Sequence, residues 1–111
     1  DGTAAQWLLT PDPRLIANET TSLCNREAWR HVRIYLQPLH GETTRLLVLT
    51  TDGYANSFAD RKGFFQAGSD LLTAIHSDGL AAVSRQLPAW LHATSAAGSG
   101  DDITLALAYH P

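Results

Sequence analysis

The strongest chemical signal in the sequence is a pair of short acidic motifs, Asp52-Gly53 and, about fifty residues later, Asp101-Asp102. Asp52 directly follows Leu46-Leu47-Val48-Leu49-Thr50-Thr51, the most apolar run of the chain, where a buried strand would deliver a charged side chain to its edge. Gly53 permits a sharp turn there. Asp101 and Asp102 open a second run in which Ile103, Leu105 and Leu107 alternate with Thr104 and Ala106. Carboxylates gathered at one rim repel each other unless something positive sits between them. Mg²⁺ and Mn²⁺ suit that task, because they take carboxylate and water oxygens in octahedral geometry. The competing reading is a plain turn at Thr51-Asp52-Gly53-Tyr54 and a capping or solvated Asp102.

Whether the two motifs meet depends on the elements between them. Phe64, Phe65, Gly68, Leu71, Leu72 and Ile75 recur at three- and four-residue steps, which predicts an amphipathic helix ending near Ser77-Asp78-Gly79. Leu80, Val83, Leu87 and Leu91 repeat that spacing in a second helix, with Pro88 kinking it or starting a new segment. Residues 95–100 are small and polar and read as a loop, and a last strand runs from Ile103 to about Tyr109. A strand up, a helix down, a helix up and a strand down bring Asp52 and the Asp101-Asp102 pair to the same rim of a sheet.

Upstream, residues 4–10 read as a strand closed by Pro11-Asp12-Pro13, and residues 15–26 as a loop. Val32, Ile34 and Leu36 alternate with polar neighbours and predict a half-buried strand. His40-Gly41-Glu42 then turns the chain, so that this strand and the Leu46–Thr51 strand form a hairpin. The order β, β, β, α, α, β predicts an α+β fold of antiparallel sheet layers with a helical hairpin. Trp7, Trp29 and Trp90, with Phe64 and Phe65, read as core.

Composition narrows the function classes. A chain of 111 residues with 44% hydrophobic and 17% charged residues is expected to form a single globular domain. No apolar run approaches the roughly 18 residues of a membrane span, so no membrane association is expected. A formal charge of −3 with 8 scattered basic residues leaves no footprint for a polyanion, and no nucleic-acid partner is expected. Cys24 stands alone, which excludes an internal disulfide and fits the cytoplasm. No two of His31, His40, His76, His92 and His110 share metal-ligand spacing, which argues against zinc. Gly98-Ser99-Gly100 lacks the Lys and following helix of a phosphate-cradling loop and reads as a turn. The absence of Met and the opening Asp1-Gly2 lead to the expectation that sequence upstream has been removed.

Taken together, the apolar-Thr-Asp-Gly motif at Leu49–Gly53 and Gly100-Asp101-Asp102-Ile103-Thr104 resemble the C-terminal half of the metal-dependent, type 2C Ser/Thr protein phosphatases in order and spacing. The resemblance implies that Asp52 and Asp101 ligate a catalytic metal pair, Mg²⁺ or Mn²⁺, with Gly53 as the turn supporting the site. It implies that Asp1, in a remnant of the family's Gly-Asp strand start, binds an additional ion. Asn18-Glu19-Thr20 followed by Leu23 resembles a segment of the bacterial branch and is assigned no chemical role. The implied fold is the C-terminal part of a β-sandwich flanked by helices, and the implied substrate is a protein phosphorylated on Ser or Thr. The family's phosphate-binding Arg, its bridging Asp-Gly and its catalytic acid candidates have no counterpart here. The chain therefore reads as residues 1–111 of a single-domain fragment carrying half an active site, with no catalytic residue of its own and no activity in isolation. Its expected partners are the missing N-terminal half or further copies meeting through exposed strand edges. The alternative is a non-catalytic phosphatase-like binding or regulatory module.

Overall fold

A computed structural model of the chain describes residues 5–16, 19–36 and 46–111. The backbone divides into two units, residues 7–38 and the remainder, residues 1–6 with 39–111. The larger unit holds strand β1 (Leu46–Thr50), a short helix α1 (Asp52–Asn56), helices α2 (Arg61–Asp78) and α3 (Leu80–Ala97), and strand β2 (Leu105–Tyr109). The fold is α+β, and the sheet among the described residues has two antiparallel strands, in register from Leu46 opposite Tyr109 to Thr50 opposite Leu105.

Local chemistry accounts for the helix boundaries. The Asp60 carboxylate accepts a 2.7 Å hydrogen bond from the Gly63 amide and so satisfies one of the orphan donors at the start of α2. Gly79 ends α2 at a φ of 85°, where its amide donates to the Ile75 carbonyl at 2.9 Å, and the same residue precedes α3. The helix expected to stop near Gly79 does so. Two expectations further on are corrected. No new segment starts at Pro88: α3 runs as one helix through it. A proline cannot donate to the Ser84 carbonyl and its ring crowds that group, which sits on an exposed residue. The helix also continues to Ala97, three residues into the expected loop, since Ser-Ala-Ala contains no helix breaker.

The core of this unit is Leu71, Ile75 and Val83, packed by Leu46, Ala74, Leu87, Leu107 and Tyr109. One face of the strand pair therefore lies against α2 and α3. The other is open: Leu47 and Leu49 are 42% and 71% exposed, and Ala106 and Ala108 are exposed beside them. A central strand covered on both faces was the expectation for Leu46–Thr51. Among the described residues, cover exists on one face only, and no second sheet layer is present.

The smaller unit departs further from expectation. Its regular structure among the described residues is a 3-10 helix at Ala28–His31, and the described residues of 15–26 are turns and irregular chain, as expected of a loop. Residues 5–10 form no strand. Val32, Ile34 and Leu36 belong to no ladder and are 58%, 77% and 86% exposed, so the half-buried strand is not formed. Nor is the hairpin, since residues 32–36 form no strand and the pairing of β1 is with β2; the predicted turn at His40-Gly41-Glu42 lies outside the described residues. Alternation decides which side chains share a face, but burial requires an element to cover that face. The same reason corrects the tryptophans: Trp7, Trp29 and Trp90 are exposed, whereas Phe64 and Phe65 are half-buried. Among the described residues, no helix is long and apolar enough to cross a membrane.

Candidate metal-binding rim

Beyond the last register pair of the sheet, threonine side chains carry the pairing onward. The Thr51 amide donates to the Thr104 carbonyl at 3.0 Å, and the Thr104 amide donates back to Thr51 Oγ1 at 3.1 Å. The Thr51 hydroxyl donates to the Asp102 carbonyl at 3.4 Å, and that of Thr50 to the Thr104 carbonyl at 3.1 Å. A hydroxyl that accepts from one strand and donates to the same strand replaces a ladder rung and holds the two acidic motifs at one end of the sheet. Asp52 follows at once as the first residue of α1, whose N-terminal cap residue is Thr51.

Gly53 is buried, and its φ is not in the left-handed region, so it is not the turn glycine that its sequence position suggested. Its role is space. A methyl group there would stand 2.5 Å from the Asp102 carbonyl oxygen, closer than real side chains sit, and a tight 3.2 Å from Asp101 Cβ. Absence of a side chain at residue 53 is what allows the Asp101-Asp102 backbone to lie against the residue that follows Asp52.

α1 is too short to stand by its own hydrogen bonds and is fixed at both ends. Tyr54 is buried and packs edge-on against Phe58 and Phe64, with ring centroids 5.2 and 5.7 Å away. Burial, and secondarily the charge of Asp70, pushes the Tyr54 phenol above its ordinary pKa. At the other end of α1, the Ser57 hydroxyl donates to the Gly53 carbonyl at 2.7 Å and lies 2.9 Å from the Ser99 hydroxyl. Ser99 Oγ in turn reaches the Gly53 carbonyl at 3.0 Å and accepts the Asp101 amide at 3.2 Å. Neither serine was singled out from sequence; the signal available was Gly98-Ser99-Gly100, whose glycines mark a tight approach but do not say to what.

Asp52, Asp101 and Asp102 are exposed, and the backbones of the two motifs meet at this end of the sheet. Asp1 and Asn18 lie outside the described residues, while the Glu19 carboxylate accepts the Ile16 amide at 3.1 Å and serves its own turn. Asp101 and Asp102 also line a groove of about 650 Å³ and mixed polarity between α3 and the segment entering β2, with Leu87, Leu91 and Leu107 beside Ser84, His92 and Thr104.

A family model described as protein phosphatase 2C matches residues 1–92. The chain belongs to the protein phosphatase 2C family. No curated protein and no solved structure matches it. The match takes in Asp52 and Gly53 and stops short of Asp101, so the second motif of this protein phosphatase 2C chain rests on its geometry beside the first. Membership gives the chain a phosphatase-like domain in a metal-dependent family. The chemistry of the rim suits a hard divalent cation: its side-chain donors are carboxylates on exposed residues, and the backbones that carry them meet in a cradle that a Cβ at residue 53 would fill. Among the described residues no three His, Cys, Asp or Glu side chains gather as a metal-binding group.

Proposed function

We propose that this chain contributes Asp52 and Asp101 to the two-metal centre of a Ser/Thr protein phosphatase hydrolysing phosphomonoesters, as the C-terminal half of a bacterial-type, cytoplasmic enzyme. The observation that carries the reading is the threonine-bridged sheet end that sets the two aspartate motifs side by side. Mg²⁺ or Mn²⁺, when bound, would supply an acidified water and offset charge on the phosphoryl oxygens. The chain's part is to hold carboxylates at fixed positions: Asp52 at the head of α1, Asp101 at the entry to β2, with Asp1 for an additional ion. Groups that grip the phosphate and bridge the ions are absent from this sequence, so the 111-residue chain positions no substrate and has no activity of its own.

The test is a Mn²⁺ titration of the ¹⁵N-labelled chain followed by NMR. Weak binding is expected, with paramagnetic broadening centred on the amides of residues 52–53 and 101–102 and abolished by either Asp52→Asn or Asp101→Asn. Broadening elsewhere, or broadening that survives both substitutions, would overturn the metal assignment. Manganese-dependent hydrolysis of p-nitrophenyl phosphate by the purified chain, lost in Asp52→Asn, would overturn the half-site.

A further inference from the structure

The rim has no buried charge to orient its carboxylates, so something else must decide where Asp101 points. Two serine hydroxyls and one carbonyl do. The Gly53 carbonyl, one residue beyond Asp52, accepts from both Ser57 Oγ at 2.7 Å and Ser99 Oγ at 3.0 Å. Ser57 Oγ also accepts the Ser99 amide at 3.4 Å, and Ser99 Oγ accepts the Asp101 amide at 3.2 Å. On the far side, Ser95 Oγ donates to the Asp101 carbonyl at 2.6 Å. The peptide groups on both sides of Asp101 are therefore hydrogen-bonded, and one of those bonds leads within two steps to the residue next to Asp52. Gly98 lets the loop come this close, because any Cβ there would collide with the Ser57 carbonyl oxygen.

We infer that Ser57 and Ser99 are positioning residues for the metal rim, a hydroxyl pair that locks the Asp101 backbone to the Asp52-Gly53 backbone; the inference rests on the metal-site reading above. The hydroxyls touch no reacting atom. They act through the carboxylates, as outer groups that orient metal ligands do elsewhere, where their loss costs 10–100-fold in metal affinity. Both serines share one acceptor, so removing either frees the other, and the two losses should not add.

Mn²⁺ affinity of the full chain, read by NMR broadening at residues 52 and 101, is the experiment. Ser99→Ala and Ser57→Ala should each raise the apparent Kd about tenfold, and the double variant no further. Asp60→Ala, which weakens α2 without touching the network, should leave it within twofold. In the metal-free chain, amide exchange at Asp101 should quicken in Ser99→Ala and not in Asp60→Ala. If the unaltered chain shows no response at residues 52 and 101, the metal-site reading fails and this inference with it. If the chain responds but Ser99→Ala binds with an unchanged Kd, the positioning role alone is overturned. Both serine variants unfolding, or losing affinity only in step with Asp60→Ala, would make the hydroxyls structural and overturn it equally.

Discussion

Residues 46–111 and residues 7–38 carry comparable patterns of apolar residues and end up in different states. In the first stretch, Leu71, Ile75 and Val83 meet the inner face of a strand pair and are buried. In the second, Val32, Ile34 and Leu36 alternate as regularly as any strand and remain exposed. The difference lies in partners rather than in periodicity. α2 and α3 follow each other across a single glycine, so each covers the other's apolar stripe locally, whereas an alternating segment needs a neighbour from elsewhere in the chain.

The sharpest way to break this comparison is a matched pair of truncations. Ile75→Ala should cost about 2–5 kcal/mol in urea unfolding, the range for a buried Ile, while Ile34→Ala should stay within about 0.5 kcal/mol. Equal costs would mean that the exposed alternating segment is covered after all. Next in size, Gly98→Ala should cost about 1–3 kcal/mol through its collision with the Ser57 carbonyl, and α1 should loosen with it.

Smaller is the loss of the α2 cap: Asp60→Ala should lower stability by about 1 kcal/mol. In the other unit, the bidentate Arg14–Asp12 pair holds the Asp12 carboxyl well below the usual carboxylate range; Arg14 is half in water while the Asp12 side chain is 11% exposed, and Arg14→Ala should lower the melting temperature only slightly at moderate salt. Smallest of all is an alkaline effect. The buried Tyr54 phenol has its pKa raised in the folded chain, so its contribution is intact below the unfolded value near 10 and is lost as pH climbs through the folded one. Tyr54→Phe should flatten that part of the stability–pH curve relative to the unaltered chain.

What the sequence made legible follows the same line. The helix pair, its glycine divide and the last strand were readable because three- and four-residue spacing and a stop signal are local facts. The meeting of the Asp52-Gly53 backbone with the Asp101-Asp102 backbone was readable from the parity of elements between them. The pairing of β1 with β2, rather than with the Val32 segment, was not, since alternation carries no record of which strand lies alongside. Nor was α1, whose five residues hold too little period to announce a helix and which depends on Tyr54, Ser57 and the distant Ser99. Gly53 was noticed for its flexibility when its value is its lack of bulk, a property visible only once Asp102 is beside it.

The antiparallel register that starts at Thr50 opposite Leu105 joins β1 to β2 across the entire helical hairpin. For a flexible chain, closing a loop of about fifty residues costs roughly 3 kcal/mol in entropy, and that cost falls once two antiparallel helices have already returned the chain to its starting point. Strand pairing should therefore follow helix formation in time, with the hairpin as the kinetic nucleus. The acidic rim, at the end of that pairing, is then among the last places to form and the first to open, and slow amide exchange should retreat from residues 51 and 104 before it retreats from Ile75.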